Sequence, residues 1–148
     1  MLTAKVSSPG GKNRFGWYRK PVTVSFKCTL GTDDLTEDCP YPRRLAGDGR
    51  GQKLSRTIVA FDGGKASVTV KGINIDRTPP VVRLKGLRRG GSYPRVRQPV
   101  CVARDRTSGV LRCVTGWLRR GRFVTYSARA TDRAGNTRVL RFRTRISG

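Results

Sequence analysis

Gly72-Ile73-Asn74-Ile75-Asp76-Arg77-Thr78-Pro79-Pro80 is the stretch that divides this chain of 148 residues. Proline has no backbone N–H and holds the preceding residue extended, so a β-sheet cannot continue through Pro79 and Pro80. The same order of features occurs on both sides: a strand, a cysteine, a polar loop, a second cysteine, and two strands around an Asp-containing turn. This order predicts two domains, residues 1–76 and 77–148. Each is near the size at which a single hydrophobic core contributes only ~3–5 kcal/mol to the stability of the domain.

Alternating apolar and polar residues dominate both halves, and no segment has the period of a helix. In the strand that follows Pro21, one face carries Val22, Val24, Phe26 and Cys28, and the intervening residues are polar. This period of two is typical of a half-buried antiparallel strand. The sequence therefore predicts an all-β fold.

Turn residues and aromatic residues add four further predictions. Residues 62–65, Asp-Gly-Gly-Lys, predict a hairpin turn because glycine accepts positive φ, and Gly72 is a candidate β-bulge. Trp17 and Tyr18 are expected to cover an end of the first core, and a solvent-facing stacking platform for a sugar is the alternative. Trp117 and Leu118 are expected to anchor the core of the second half.

The four cysteines are arranged as one pair in each half. Their spacing predicts two local disulfides, Cys28–Cys39 and Cys101–Cys113, and a loop of this size is worth about 3 kcal/mol in the chain-entropy model. Disulfides are typical of oxidising compartments, and the alternative is a cytosolic or virion protein with free thiols. A zinc site is not favoured because the chain has no histidine and no Cys-x₂₋₄-Cys spacing.

The expected location is extracellular or at the cell surface. The N-terminal residues contain no apolar run long enough for a signal peptide, and no segment is apolar enough to span a membrane. The expectation is therefore a part of a longer exported protein, a protein released by another route, or a virion component.

The net charge of +23 is concentrated in the second half. Residues 1–76 contain 13 Lys and Arg against 7 Asp and Glu, whereas residues 77–148 contain 19 against 2. A field of this sign attracts anionic polymers and speeds association with them. The alternative is a genome that favours arginine codons, with the charge serving solubility alone.

Arginines of the second half are expected to form one basic surface. Arg141, Arg143 and Arg145 alternate along the last strand, so their guanidinium groups share a solvent face at a repeat of ~6.7 Å. Arg129 on the adjacent strand is expected to face the same way. The turn arginines that extend this surface are Arg88, Arg89, Arg119, Arg120 and Arg122. Because arginine binds phosphate or carboxylate through two parallel hydrogen bonds, the hypothesis is a polyanion-binding face; the alternative is a solvated face that protects an edge strand.

One acidic cluster lies between the first two cysteines. It contains Asp33, Asp34, Glu37 and Asp38. The spacing matches no EF-hand loop, so Ca²⁺ is not favoured and no metal is assigned. A solvated loop is one interpretation. The other is an acidic docking loop that binds the second half or a neighbouring copy.

Catalytic chemistry is not expected in this sequence. Without histidine the usual proton shuttle near neutral pH is missing, and no glycine-rich phosphate loop precedes a helix. No cofactor is expected. Sequence-specific reading of bases is not expected either, because no recognition helix or set of stacking aromatics is visible.

Residues 130–137, Ala-Thr-Asp-Arg-Ala-Gly-Asn-Thr, resemble the Ala-Thr-Asp-x-Ala-Gly-Asn-Thr turn of bacterial Ig-like domains, which occur in tandem in secreted and cell-surface proteins. Asp105-x-x-Ser108-Gly109-Val110, residues 16–18 and the junction at 72–80 are similar to other stretches of that family. The first half departs from the pattern, since residues 62–64 stand where the full turn is expected. The resemblance implies two small Ig-like antiparallel β-sandwiches in tandem, a role in adhesion or spacing, and no catalysis.

Together these observations predict a non-enzymatic extracellular or cell-surface interaction or spacer module. Its basic second half is expected to dock onto an anionic cell-envelope polymer or an acidic protein surface. One alternative is a structural subunit of a virus particle or other surface assembly, held by salt-sensitive association between neighbouring copies. Another is non-specific nucleic-acid binding.

Overall fold

The structure is a computed structural model that describes residues 1–29, 39–60 and 63–148. These residues form eleven β-strands and no helix, so the predicted all-β fold class is confirmed. They divide into two compact units, Met1–Arg77 and Thr78–Gly148, called here the first unit and the second unit. Within the described ranges, no helix is long and apolar enough to cross a membrane.

The first unit contains two antiparallel sheets. The strands of one sheet are β1 (Leu2–Ser7), β2 (Val22–Cys28) and β3 (Arg43–Leu45), in that order. The other sheet is a long hairpin of β4 (Gly49–Val59) and β5 (Lys65–Ile75). Strand β5 ends before the two prolines, as the sequence predicted for any strand in that stretch.

The core of the first unit lies between these two sheets. Val22 and Val24 of β2 are fully buried, and they share a hydrophobic cluster with Ile73 and Ile75 of β5. The alternation seen in the sequence of β2 thus places its apolar side chains against the second sheet. Two sheets that pack face to face over one apolar core form a β-sandwich.

Trp17 is buried, with 5% of its surface exposed, and the Arg50 guanidinium lies 5.3 Å from the centre of its ring. The predicted burial is confirmed, and a solvent-facing sugar platform at this position is wrong. Backbone hydrogen bonds hold the segment in place: the Tyr18 N–H donates to the Asn74 carbonyl at 2.8 Å. The Asn13 side-chain oxygen also accepts from the Trp17 N–H at 3.0 Å.

The β4–β5 hairpin has irregular pairing at its open end, and glycine makes it possible. Gln52 pairs with Ile73 and Leu54 pairs with Val70, so one residue of β4 opposes two residues of β5. Gly72 is one of these two and has a φ of 71°. Glycine adopts a positive φ more readily than other residues because it has no Cβ. The predicted bulge at Gly72 is therefore confirmed.

The second unit contains a four-stranded sheet and a two-stranded sheet. Its strands are β6 (Val81–Leu84), β7 (Ser92–Tyr93), β8 (Cys101–Arg104), β9 (Val110–Arg120), β10 (Phe123–Asp132) and β11 (Thr137–Ile146). The larger sheet has the order β7-β11-β10-β9, and β6 pairs with β8 in the smaller sheet. All pairs in both sheets are antiparallel except the short pair of β11 and β7.

The core of the second unit joins these two sheets into a β-sandwich. Leu84 of the small sheet packs in one cluster with Val124, Tyr126, Ala128 and Phe142 of the large sheet. The side chains of β10 in this cluster are each 1% exposed. Their alternation along β10 is the period of two that the sequence showed.

Tyr126 carries a hydroxyl into this core and has two hydrogen bonds there. The hydroxyl donates to the Arg97 carbonyl at 3.1 Å and accepts from the Arg97 N–H at 2.9 Å. The tyrosine therefore ties the connection between β7 and β8 to the centre of the large sheet. Burying the hydroxyl without such partners would cost stability.

Both predicted disulfides are present and confirmed. Cys28 and Cys39 are joined in the first unit, and Cys101 and Cys113 are joined in the second. The second disulfide links β8 to β9, so it connects the small sheet to an edge strand of the large sheet. Such a covalent link supplements a core of modest size.

The prediction that Trp117 and Leu118 anchor the second core is wrong. They are 46% and 56% exposed. Strand β9 forms an edge of the large sheet, and the facing strands β6 and β8 have only four residues each. The small sheet is therefore too short to cover the C-terminal part of β9, where Trp117 lies. Leu118 pairs with Thr125 and lies on the side away from the core.

Candidate polyanion-binding face

The large sheet of the second unit has one side toward the core and one toward solvent. Val124, Tyr126, Ala128 and Ala130 of β10 are buried, so the residues that alternate with them point outward. Directly opposed residues of antiparallel strands share a side, and we call the solvent side the outer face. Its rows, each in the order β9, β10, β11, are Arg120, Phe123 and Arg145; Leu118, Thr125 and Arg143; Gly116, Ser127 and Arg141; Val114, Arg129 and Val139; Arg112, Thr131 and Thr137.

Three exposed arginines form a column on β11. Arg141, Arg143 and Arg145 occupy alternate positions, so their side chains leave the sheet at a repeat of ~6.7 Å. Arg129 of β10 is also exposed, and the structure places it on the same face. The rows contain no Asp or Glu, so no residue paired in β9, β10 or β11 on this side neutralises these charges.

The turn before β7 lies along the side of β11 that is opposite β10. The Gly90 N–H donates to the Arg143 carbonyl at 2.8 Å, and the Arg145 N–H donates to the Gly91 carbonyl at 2.8 Å. The Arg89 guanidinium donates to the Arg141 carbonyl at 3.4 Å, which places this side chain beside the arginine column. Arg88, the other arginine predicted in this turn, is exposed.

The three arginines near the β9–β10 turn do not share one side. Arg120 pairs with Phe123 and belongs to the outer face. Arg119 pairs with the buried Val124, so its position belongs to the opposite side of the sheet, and its Nε donates to the Gly121 carbonyl at 3.0 Å. Arg122 lies in the turn itself and is exposed. The single continuous surface predicted for all nine arginines is therefore too broad.

Arg112 is a member of the outer face that sequence reasoning missed. It pairs with Thr131 near the start of β9 and is exposed. The sequence around Cys113 was interpreted as a loop followed by a core anchor, and a loop has no defined side. Interpreting residues 110–120 as one alternating strand would have placed Arg112 on the same side as Val114 and Leu118.

The outer face also exposes apolar side chains. Val114, Leu118 and Val139 are 59%, 56% and 56% exposed. Phe123 is covered in part by Arg143, whose guanidinium carbon lies 4.4 Å from the ring centre. Val114 and Val139 stand on either side of Arg129 in one row. The face therefore combines cationic groups with an apolar surface between them.

The two turns that carry the family resemblance meet at one end of the second unit. Asp105 accepts hydrogen bonds from the Ser108 N–H and hydroxyl and from the Gly109 N–H, at 2.9, 3.2 and 2.8 Å. Asp132 accepts from the Asn136 N–H at 2.8 Å and from its side-chain amide at 2.9 Å. The Ala134 N–H then donates to the Ser108 hydroxyl at 3.3 Å. These residues therefore organise the backbone of both turns.

Asp105 and Asp132 are the two acidic residues of the second unit, and a carboxylate oxygen of one lies within 4.8 Å of a carboxylate oxygen of the other. Both carboxylates accept the hydrogen bonds that shape the turns, and no metal is assigned to them. The acidic docking loop predicted at Asp33, Asp34, Glu37 and Asp38 lies outside the described residues and stays a prediction.

Comparison with protein-family models finds no match, and comparison with curated proteins finds none. Among solved structures, the chain is similar to the fibronectin(III)-like modules of Clostridium thermocellum CbhA. The sequence identity is 13%, the match covers 98% of this chain and 94% of that chain, and the TM-score is 0.41.

Proposed function

We propose that the chain is a non-enzymatic interaction module whose second unit docks electrostatically onto an anionic polymer. The observation that carries this proposal is the outer face, which gathers six arginines and no carboxylate on one side of a sheet. The surrounding charge acts in the same direction, because the second unit has 18 Lys and Arg against two Asp. Such a field concentrates polyanions near the surface.

The sheet supports binding because it holds the arginines in place before a partner arrives. Strands β10 and β11 are paired without a register shift from Phe123 opposite Arg145 to Thr131 opposite Thr137. Only side-chain torsions then need to be ordered on binding, and this lowers the entropic cost of association. Each arginine that neutralises an anionic group releases a counterion, so the affinity is expected to fall steeply with salt.

For the first unit we propose a spacer role in an extracellular or cell-surface protein. It has no comparable concentration of charge, since residues 1–77 carry a net +7. The two disulfides support an oxidising compartment. The motif turns at 105–109 and 132–136 support a relation to tandem bacterial Ig-like domains. Protein from its native source that contains four free thiols would contradict the compartment.

The docking proposal is tested by the salt dependence of binding with the full chain. Poly(glycerol phosphate) and heparin serve as anionic ligands, and dextran serves as a neutral control. We expect binding to both anionic ligands and none to dextran, with the logarithm of the binding constant falling linearly against the logarithm of salt between about 50 and 200 mM. If the chain binds neither poly(glycerol phosphate) nor heparin at about 0.15 M salt, where screening extends only ~8 Å, the proposal is contradicted.

A further inference from the structure

The outer face has features that select among anionic polymers. Resting on the proposed function, we infer that the second unit binds a linear polyol-phosphate polymer in an extended conformation, with its phosphates on the arginine column of β11. The inference depends on the spacing of the arginines, the depth of the surface beside them and the state of the aromatic ring on the face.

The spacing of the column fits an extended chain of phosphodiesters. The side chains of Arg141, Arg143 and Arg145 leave β11 at a repeat of ~6.7 Å. A short polyol between phosphates gives a repeat of comparable length, so successive phosphates can each meet one guanidinium fork. Phosphates of a nucleic-acid duplex follow a helical path around the duplex axis instead.

A shallow floor lies beside the column and suits the uncharged part of such a polymer. Gly116, Thr125 and Ser127 have small side chains and lie in the rows of Arg141 and Arg143. The Thr and Ser hydroxyls can donate to and accept from polyol hydroxyls. The arginine side chains are longer and form a raised edge on the β11 side of this floor.

Exposed valines lie between the cationic groups of the face. Val114 and Val139 flank Arg129 in one row. Because a valine side chain is shorter than an arginine side chain, these valines can contact the methylene groups of a polymer whose phosphates meet the guanidinium groups.

The outer face has a single aromatic ring, and it is partly covered. Phe123 is the one aromatic residue of the outer face, and the Arg143 guanidinium lies 4.4 Å from its ring centre. Proteins that bind single-stranded nucleic acid combine a basic groove with several aromatic rings on which successive bases stack. The outer face lacks such a series of rings, so a polymer without bases is favoured.

The first experiment measures binding of the full chain to poly(glycerol phosphate) across a salt series. The test variant is Arg141→Gln, Arg143→Gln and Arg145→Gln together. The matched control changes three exposed arginines that lie elsewhere in the second unit; these are Arg83→Gln, Arg95→Gln and Arg104→Gln. We expect the test variant to lower the magnitude of the salt slope by about 2, at ~0.7 per lost contact, and to weaken binding at least ~10-fold. The control should change affinity by no more than about twofold, because it alters only the long-range field.

The second experiment tests the exposed valines beside Arg129. The variant Val114→Thr with Val139→Thr keeps shape and charge but makes these two positions polar, and the control is Val81→Thr with Val100→Thr at other exposed valines. We expect the Val114 and Val139 variant to weaken binding about threefold with an unchanged salt slope, since the loss is apolar contact and not charge. The control should bind as the unaltered chain does. Equal affinities for this variant and its control would remove the two valines from the site.

The outcomes separate this inference from the proposed function. If the unaltered chain binds no polyanion, the proposed function fails. If it binds but the arginine variant and its control lose affinity equally, docking stands and the β11 column is overturned as the site. If duplex DNA or vesicles of phosphatidylglycerol bind more tightly than poly(glycerol phosphate) at equal salt, docking stands and the polymer class is overturned.

Discussion

Removal of one hydroxyl from the core of the second unit tests how the unit is held together. In Tyr126→Phe the ring keeps its place in the cluster, so the change removes only the hydrogen bonds to the N–H and carbonyl of Arg97. Each bond is worth ~0.5–1.5 kcal/mol, so the free energy of unfolding of the second unit should fall by about 1–3 kcal/mol. For a domain of this size each kcal/mol corresponds to ~4–8 °C in melting temperature.

Hydrogen–deuterium exchange across a urea series, measured on peptides from β10 and β11, reports the unfolding free energy of this unit separately. The control is Tyr41→Phe, because Tyr41 is 83% exposed and its substitution should stay within ~0.5 kcal/mol. Protection of the β10 peptides that is equal in both variants would refute the structural role of the Tyr126 hydroxyl.

Three further predictions concern stability. Gly72→Ala should lower the free energy of unfolding by about 1–2 kcal/mol in thermal unfolding, because φ at this position is 71°. No atom lies within 4 Å of an added Cβ at Gly72 or at Gly47, and Gly47 has no positive φ, so Gly47→Ala should be close to neutral. Equal melting temperatures of the two variants would contradict the backbone argument. Replacing Cys101 and Cys113 together by Ser should lower the free energy of unfolding by about 3 kcal/mol, measured with urea. An unchanged urea midpoint would show that this disulfide does not stabilise the second unit. Asp132→Ala should cost about 2–4 kcal/mol, because two donors of Asn136 lose their acceptor, and a cost below ~0.5 kcal/mol would remove the turn network from the stability of the second unit.

Local patterns predicted those parts of the fold that local chemistry determines. The alternation of Val22 and Val24 predicted the buried side of β2, and the positive φ that glycine accepts predicted the bulge at Gly72. The cysteine pairs were predictable because each closes a short loop within one unit. In these cases the residues that decide the structure lie close together in the chain.

Features that depend on contacts between distant parts of the chain were harder to predict from the sequence. Whether Trp117 is buried depends on the length of the facing strands β6 and β8, which the sequence of β9 does not contain. The position of Arg112 on the outer face depends on the register between β9 and β10, and so does the separation of Arg119 from Arg120. Alternation assigns sides only after the limits of a strand are known.

The turn network shows the same division between local and distant information. The motif at 105–109 and the motif at 132–136 were each recognisable alone. Their joining through the Ala134 N–H and the Ser108 hydroxyl links residues 26 positions apart. That contact follows from the packing of the two turns at one end of the unit, and no spacing in the sequence indicates it.

Arginine footprinting of the unaltered chain tests the central claim most directly. The full chain is modified with phenylglyoxal at about 0.15 M salt, with and without saturating poly(glycerol phosphate), and the extent of modification at each arginine is read by mass spectrometry. The predicted result is protection of Arg129, Arg141, Arg143 and Arg145, while Arg83 on β6 stays as reactive as in the free chain. Equal protection across all arginines of the second unit, or protection centred on Arg83, would contradict a binding site on the outer face.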